Sequence, residues 1–399
     1  IMALKNNTWK INQWYDQDVA GNVSYTGQRG TLWGVGRNHR GQLGVNVYGP
    51  GEQDGYSSPI QIPGTTWHSI SGTSGGGGGD HTRIAVKTDG TLWSWGYNEN
   101  GQLGQNDRTN RSSPTQIGGG TDWAKDNKGL RNTRSGFAIK TDGTLWSWGY
   151  GNQGALAQNN NIRYSSPVQI PGTTWSSLGG GQIHGAFATK TDGTLWAWGA
   201  NQYGVLCQGP SSTPDRRSSP IQIPGSTWDT VKGGYATILA TKTDGTLWSW
   251  GNNETGEMGI NSSGDDRSSP VQIPGTTWAP GYNKIAMSIP GAFAIKTDGT
   301  LWSWGNNVGG AGGYLGLGDS ASRSSPTQIP GSWNIVACTD SSTWAIKTDG
   351  SLWSWGNGYN GRQGHNNTAQ YNSPVQVGSL TNYAEIGTSA DSGHFLTQA

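Results

Sequence analysis

One short motif, Gly-Thr-Leu-Trp-x-Trp-Gly, recurs seven times along the chain of 399 residues, and only two copies depart from it. Val35 replaces the second tryptophan of the first copy, and Ser351 replaces the threonine of the last. A repeat of this kind indicates that one unit can bury its apolar side chains only against a neighbouring copy. The first tryptophans of successive copies are 50 to 60 residues apart: Trp33, Trp93, Trp146, Trp196, Trp248, Trp302 and Trp353.

Each repeat predicts four short β-strands, which we label A to D. In residues 175–223, strand A covers 175–178, strand B 185–190, strand C 194–198 and strand D 220–223. Thr-Asp-Gly joins B to C, and Asp-Gly favours the positive φ angles of a tight hairpin turn. We therefore interpret the aspartates of the six Lys-Thr-Asp-Gly copies as turn formers rather than as catalytic carboxylates. These aspartates are Asp89, Asp142, Asp192, Asp244, Asp298 and Asp349.

The pattern of strands predicts an all-β fold, because no segment has the sustained 3.6-residue apolar period of a helix. Seven four-stranded units match a seven-bladed β-propeller with four-stranded antiparallel blades. In such a ring the tryptophans of one blade cover the next, and each indole buries on the order of 150–250 Å². We therefore assign most of the tryptophans to packing between blades.

The C-terminus predicts how the ring closes. Residues 383–386 resemble strand A and residues 394–399 resemble strand B, and the chain stops where the next strand C would follow. Residues 30–33 supply such a strand. We therefore predict that the C-terminal strands A and B pair with the N-terminal strands C and D in one blade, which removes the open edges of the ring. The alternative is that residues 9–11 and 23–26 form A and B of the first blade.

With C-terminal closure, the chain divides into an N-terminal arm, residues 1–28, and a propeller, residues 29–399. The arm carries Trp9, Trp14 and Tyr15, and it could strap the disc or anchor it in a larger assembly. The opening residues 2–10, with their low charge and the many Asn, Gly, Ser and Thr residues around them, resemble phage and viral structural proteins. This resemblance implies a phage or virus particle as one such assembly.

The composition excludes several classes of protein. Charged residues make up 13% and tryptophan contributes 22 residues, which is the reverse of a disordered chain. A net charge of +1 lacks the excess of basic residues that is typical of proteins that bind nucleic acids in general. No apolar run of about 18 residues and no signal-peptide core is visible, so we expect cytoplasmic synthesis and no membrane insertion. Cys207 and Cys338 are too few for a disulfide framework, and we expect two unpaired thiols.

At residues 93–104, Trp-Ser-Trp-Gly-x-Asn-x-x-Gly-Gln-Leu-Gly resembles the repeat of the regulator-of-chromosome-condensation (RCC1-like) propellers. The Gly-Gln-Leu-Gly part is also clear at residues 41–44 and decays in later copies, at 256–259 and 361–364. The resemblance spans about residues 30–399. It implies a rigid disc that presents loops to another macromolecule. The family includes guanine-nucleotide exchange factors, chromatin binders, ubiquitin-ligase domains and a β-lactamase inhibitor, so the resemblance is less specific for function than for fold.

The lengths of the loops differ between the two faces of the predicted disc. The B–C turns and D–A connections are nearly identical among the repeats, so we name that side the repetitive face. The A–B and C–D loops vary, so we name the other side the variable face. Its predicted A–B loops include residues 72–80, 124–134 and 280–290, and its predicted C–D loops include residues 44–56, 205–217 and 306–323. Variable loops on a rigid scaffold are the usual place for recognition, and tyrosine and arginine are favoured there. We predict that the variable face binds a partner, through Arg37, His39, Arg40, Tyr48, Tyr56, Tyr97, Arg108, Tyr150, Tyr203, Arg216, Tyr314, Tyr359, Arg362 and Tyr371.

The sequence shows no pattern for catalysis, a metal or a cofactor. The glycine run 75–79 lacks the Gly-Lys-Ser/Thr ending of a phosphate loop, and no His-x-x-x-His, Cys-x-x-Cys or Gly-x-Ser-x-Gly occurs. We expect structural hydrogen bonds from His81, His184 and His394, which lie near the start of B strands. The prediction is a non-enzymatic binding or structural propeller. A regulatory factor of the exchange-factor type and an enzyme in the central channel are alternatives, although no cluster of titratable residues is visible for that channel.

Overall fold

The strands of the protein form seven antiparallel sheets of four strands each, in a computed structural model that describes residues 30–49, 55–71, 81–180, 185–209, 216–234, 236–288, 291–308, 313–389 and 392–397. The first fourteen strands are β1 (Thr31–Arg37), β2 (Gly55–Gln61), β3 (Trp67–Ile70), β4 (Thr82–Lys87), β5 (Leu92–Gly96), β6 (Arg111–Gln116), β7 (Leu130–Asn132), β8 (Ser135–Ile139), β9 (Leu145–Gly149), β10 (Tyr164–Ile170), β11 (Trp175–Gly179), β12 (Gly185–Lys190), β13 (Leu195–Gly199) and β14 (Arg217–Ile223). The others are β15 (Trp228–Gly233), β16 (Thr237–Lys242), β17 (Leu247–Gly251), β18 (Arg267–Ile273), β19 (Ile285–Met287), β20 (Gly291–Ile295), β21 (Leu301–Gly305), β22 (Arg323–Ile329), β23 (Trp333–Cys338), β24 (Ser342–Lys347), β25 (Leu352–Gly356), β26 (Tyr371–Gln376), β27 (Tyr383–Ser389) and β28 (Ser392–Thr397).

Six sheets consist of consecutive strands in the order A-B-C-D, from β3–β6 as blade 1 to β23–β26 as blade 6. The A strands of neighbouring blades pack against one another and line the central channel. The predicted seven-bladed propeller is confirmed. The helices among the described residues are single 3-10 turns, at Asn127–Gly129, Asn152–Gly154, Gln202–Gly204 and Tyr359–Gly361.

Blade 7 closes the ring as predicted, with the strand order β2-β1-β28-β27. Strand β28 lies between the N-terminal strand β1 and strand β27, and Thr31 is opposite Thr397. The arm, residues 1–28 with Trp9, Trp14 and Tyr15, lies outside the described residues, and so does the boundary at residue 29.

A buried arginine fastens blade 1 to this closing strand. Arg83 and His394 have no exposed surface. Nε of Arg83 donates to Nδ1 of His394 at 3.0 Å, and its Nη2 donates to the hydroxyl of Ser392 at 2.7 Å. Burial and the charge of Arg83 hold the pKa of His394 well below its usual range, so the imidazole is neutral. The structural hydrogen bond expected for His394 is therefore present, whereas His184 lies outside the described residues.

The second tryptophan of each motif explains why neighbouring blades fit. Its indole N–H donates to a backbone carbonyl in the C–D loop of the preceding blade, as from Trp95 to Gln42 at 3.1 Å and from Trp148 to Gln102 at 2.9 Å. These indoles are fully buried. In blade 7, where Val35 stands in this position, Trp344 of blade 6 packs beside Val35 and Phe395 and supplies the missing volume.

The last glycine of Gly-x-Leu-Gly is required by this contact. Gly44 has φ +68°, and a Cβ there would lie 2.7 Å from Nε1 of Trp95. Gly118 has a similar φ of +58°, but a Cβ there would meet nothing within 4 Å. Both Gly44→Ala and Gly118→Ala place an alanine in the left-handed backbone region, which destabilises the protein by about 1–2 kcal/mol. Only Gly44→Ala also displaces an indole. We expect Gly44→Ala to be the more destabilising change by about 1–3 kcal/mol in chemical unfolding. Equal losses for the two variants would contradict this packing role.

The repetitive face is built from the predicted turns. In blade 1, Oδ1 of Asp89 accepts hydrogen bonds from the N–H and the hydroxyl of Thr91, at 3.0 and 2.6 Å, and these bonds lower the pKa of Asp89. Nε1 of Trp93 donates to the same hydroxyl at 2.7 Å. Lys87 lies over the ring of Trp93, with Nζ 3.6 Å from its centroid. The aspartates therefore shape turns, as predicted.

Candidate functional site

The variable face lies at the ends of the blades where A joins B and C joins D. Two predicted A–B loops are shorter there than the sequence suggested. In blade 2, β7 pairs with β8 after residue 129, so that only residues 133–134 form the loop. In blade 5, β19 pairs with β20 after residue 284. The predictions for loops 124–134 and 280–290 were wrong in this respect, because residues 124–129 and 280–284 are insertions within strand A.

Five of the seven C–D loops are fixed to the next blade by an asparagine with φ between 57° and 65°. In blade 7, the N–H of Asn46 donates to the carbonyl of Ser112 at 2.8 Å, and Oδ1 of Asn46 accepts from the hydroxyl of Ser113 at 2.6 Å. The same side-chain bond recurs in the pairs Asn106–Ser166, Asn159–Ser219, Asn261–Ser325 and Asn366–Ser58. The variable loops are thus attached to a rigid frame.

Four of the residues predicted to bind a partner are exposed. Tyr48 and Tyr359 expose 47% and 51% of their surface, and Arg108 and Arg216 are also in the exposed class. The hydroxyl of Tyr48 donates to the carbonyl of Asn110 at 3.1 Å, which holds its ring in place on the neighbouring loop.

Five more predicted residues are half-buried on this face: Arg37, His39, Arg40, Tyr97 and Tyr150. The Arg40 guanidinium lies 5.0 Å from the ring centroid of Tyr97, and that of Arg163 lies 4.9 Å from the ring of Tyr150. His39 and His81 meet edge to face at 4.5 Å, and both Nδ1 atoms are 3.4 Å from Nε2 of Gln42. The structure thus brings arginine, tyrosine and histidine together where blades 7, 1 and 2 meet.

The other predicted residues have packing roles. Tyr56 and Tyr371 occupy the same repeat position at the start of strand D. Burial raises the pKa of Tyr56, and the ring of Tyr371 meets that of His365 edge to face, with 4.9 Å between the centroids. Tyr203 packs on Ala200 and Ala236, and Tyr314 is half-buried. Arg362 is only 6% exposed and donates to the carbonyl of Tyr359 at 2.9 Å. We therefore regard these five residues as supports of the variable face.

The two strand A insertions meet across the central channel. Nδ2 of Asn127, from blade 2, donates to Oδ1 of Asn283, from blade 5, at 3.2 Å. The first insertion also contacts His68 of blade 1 through the carbonyl of Lys125 at 3.1 Å. In the second insertion, the carbonyl of Asn283 accepts a hydrogen bond from the N–H of Val336 in blade 6, at 3.1 Å. Blades 2 and 5 are far apart along the ring, so this bond spans the channel.

Next to this crossing, the structure brings together titratable groups that the sequence did not reveal. Nζ of Lys232 lies 2.9 Å from the ring centroid of Tyr282. Burial lowers the pKa of Lys232 and raises the pKa of Tyr282 and Cys338. Burial also raises the pKa of Glu385 to about 8. No such cluster was visible in the sequence, because these residues are distant along the chain and meet only where the A strands converge on one axis.

Among the residues that the structure describes, no three His, Cys, Asp or Glu side chains come together as a metal site. The described helices are all too short and too polar to cross a membrane. Cys207 and Cys338 are free thiols, as expected.

Four stretches of the chain match the family described as Regulator of chromosome condensation (RCC1) repeat: residues 89–125, 142–186, 244–279 and 349–397. Human E3 ubiquitin-protein ligase HERC2 is 27% identical over 412 residues, which cover 97% of this chain and 8% of HERC2. The chain therefore spans less than a tenth of the length of this curated relative.

Two solved structures of yeast RCC1 (Prp20) are similar to the propeller. The structure in which Kap60 is bound to it has a TM-score of 0.76 and 17% identity, and the match covers 95% of this chain and 91% of that one. The Saccharomyces cerevisiae structure described with its binding properties to Gsp1p and histones has a TM-score of 0.75 and 18% identity, and covers 94% and 92%. At this level of identity the similarity shows the fold.

Proposed function

This chain belongs to the RCC1-like repeat family, and on that premise we propose that it is a non-enzymatic scaffold whose variable face binds a protein partner. The observation that carries the proposal is the contrast between the two faces. The repetitive face carries the same hydrogen bonds from an aspartate through a hydroxyl to a tryptophan in six blades, with threonine in five of them and Ser351 in the sixth. The variable face presents different side chains in each blade.

The rigidity of the variable face supports this proposal. Loops that are already ordered lose little conformational entropy when a partner binds, so more of the contact energy contributes to affinity. The asparagine bonds to the next blade hold the described parts of five C–D loops at a fixed position. Exposed tyrosines on such loops, Tyr48 and Tyr359, have the properties of interface anchors.

The family relationship also supports a protein as the partner. Yeast RCC1 is described with Kap60, Gsp1p and histones. From these relatives we take only the expectation that the partner is a protein, and not the identity of any of their partners. A ligase activity is named for the whole of HERC2, of which the aligned part is 8%. The proposal does not extend to a virus particle, for which neither the fold nor the relatives give support.

Two alternatives make different predictions. An exchange factor would accelerate nucleotide release from a GTPase. An enzyme in the channel would need access to Lys232 or Glu385, which are 8% and 9% exposed and lie beside the crossed insertions. This burial favours the scaffold over the channel enzyme.

The proposal is tested by capturing partners with paired variants. Tyr48→Ala with Tyr359→Ala truncates two exposed anchors on the variable face, and Thr173→Ala with Thr276→Ala alters exposed residues of the repetitive face. We expect any partner captured by the wild-type chain to bind the tyrosine variant at least about tenfold more weakly, since anchors of this type contribute about 2 kcal/mol or more. The threonine variant should bind normally. The opposite pattern would place the binding surface on the repetitive face.

A further inference from the structure

Lysine and arginine are separated between the faces of this disc. Six lysines end B strands and lie against tryptophan rings on the repetitive face: Lys87, Lys140, Lys190, Lys242, Lys296 and Lys347. The described parts of the A–B and C–D loops contain arginine but no lysine. Arginine differs from lysine because its planar fork can bind a carboxylate through two parallel hydrogen bonds.

Two groups of arginines on the variable face differ in their partners. Four arginines precede Ser-Ser-Pro in the repeat, Arg111, Arg217, Arg267 and Arg323. Of these, Arg111 pairs with Asp107 at 2.5 Å, and Arg323 pairs with Asp319 at 2.6 Å. Arg267 likewise lies 3.6 Å from Asp265. These pairs fix the loop beside strand D.

The second group lies outside the repeat pattern. Arg40, Arg108, Arg163 and Arg216 belong to the C–D loops of four consecutive blades, 7, 1, 2 and 3. None of the four forms an ion pair with a carboxylate in the described part of the chain. We name these four residues the arginine arc. The C–D loop of blade 4 contains four acidic residues, Glu254, Glu257, Asp265 and Asp266, and its first arginine is Arg267. The loop of blade 1 also contains acidic residues, Glu99 and Asp107, but together with Arg108 and Arg111, so the charge of the variable face is unevenly distributed.

We propose that the arginine arc binds a carboxylate-rich segment of a protein partner, which runs across the C–D loops of blades 7, 1, 2 and 3. The inference rests on the proposed scaffold function and names the chemistry of its partner. The acidic loop of blade 4, next to the arc, repels such a segment and confines it to the arc.

Two observations favour carboxylates over the phosphates of a nucleic acid. First, single-stranded nucleic acids bind by stacking bases on aromatic faces. Here Arg40 and Arg163 already cover the rings of Tyr97 and Tyr150. Secondly, the loops lack the lysines that usually accompany arginine where a phosphate backbone is tracked. The guanidinium forks of Arg40 and Arg163 are held in place by the rings beneath them and remain available to an acidic side chain.

The test uses a labelled oligoglutamate peptide, an oligoglutamine peptide of the same length, and a single-stranded oligonucleotide of the same charge, each titrated with the full chain. Arg108, Arg163 and Arg216 are replaced together by glutamine in one variant. Arg111, Arg267 and Arg323 are replaced by glutamine in the control, which changes the net charge equally on the same face. Both variants change only surface side chains, and their thermal unfolding shows that each is folded.

We expect oligoglutamate to bind the wild-type chain more tightly than either other probe, and the arc variant to bind it at least about tenfold more weakly, since one charge-assisted hydrogen bond contributes about 1.5–3 kcal/mol. The control should lose less than about threefold. Equal losses in the two variants, or tighter binding of the oligonucleotide through the arc, would overturn the inference. If the tyrosine variant loses its captured partner while oligoglutamate fails to bind, the scaffold proposal stands and the acidic chemistry is wrong.

Discussion

Replacing Arg83 with alanine is expected to destabilise the protein by about 3–5 kcal/mol, because the change removes one member of a fully buried polar network. Arg83 donates from Nε to His394, from Nη2 to Ser392 and from Nη1 to the carbonyl of Thr82, the last at 2.7 Å. Without the guanidinium, these acceptors stay buried with fewer donors. Since His394 and Ser392 belong to the strand that closes the ring, the change weakens the contact between blades 7 and 1.

Chemical unfolding followed by tryptophan fluorescence measures this effect. His394→Ala removes the partner and should destabilise the chain by a similar mechanism. Arg111→Ala is the matched control, since its ion pair with Asp107 is partly exposed and surface pairs contribute at most about 1 kcal/mol. A loss at Arg83 no greater than that at Arg111 would mean that the network does not hold the ring closed.

The second large effect concerns pH and Glu385. Its Oε1 accepts the N–H of Ile70 at 3.2 Å, and Asn127, Asp126 and Tyr282 face it from the two insertions. Burial, with a smaller contribution from the charge of Asp126, raises the pKa of Glu385 to about 8 from 4.5. The folded state therefore favours the protonated carboxyl. Its contribution to stability is complete below about pH 4.5, declines as the pH rises, and is lost above about pH 8.

Glu385→Gln keeps the shape of the side chain and removes its charge. Between about pH 5 and about pH 8.5 the wild-type chain should lose several kcal/mol relative to this variant, at about 1.4 kcal/mol for each unit of pKa difference. Unfolding free energies of both proteins at the two pH values give the comparison. Glu254→Gln, at an exposed glutamate, should follow the wild type. If Glu385→Gln also follows the wild type, Glu385 does not titrate as described.

The repeat was sufficient to predict most of the fold. Tryptophans, Asp-Gly turns and prolines recur at fixed offsets, and such local signals determine where strands begin and turn. The half unit at residues 383–397 predicted the closing blade because strands A and B were visibly missing their partners. The asparagine bonds between blades also left a signal, since Asn46 and Asn106 follow Gly-Gln-Leu-Gly by two residues.

The interior of the channel could not be predicted in this way. Residues 124–129 resemble a surface loop in composition, and only the pairing of β7 with β8 shows that they are an insertion within strand A. Lys232, Tyr282 and Glu385 come from three different blades, so no sequence spacing connects them. The arginines were recognised as interface residues, but which of them have a carboxylate partner depends on contacts in space.

Because the closing blade joins both ends of the chain in one sheet, no blade of the ring is structurally the first or the last. Strands β1 and β28 are hydrogen-bonded neighbours, and Thr31 lies beside Thr397 at the end of the blade where every other blade has its Thr-Asp-Gly turn. Once residues 1–30 and 398–399 are removed, a Thr-Asp-Gly linker between Thr397 and Thr31 would make the ring covalently continuous, and cutting any other such turn would create new termini in an equivalent position. The propeller is thus suited to circular permutation, with seven nearly equivalent places at which the chain could start.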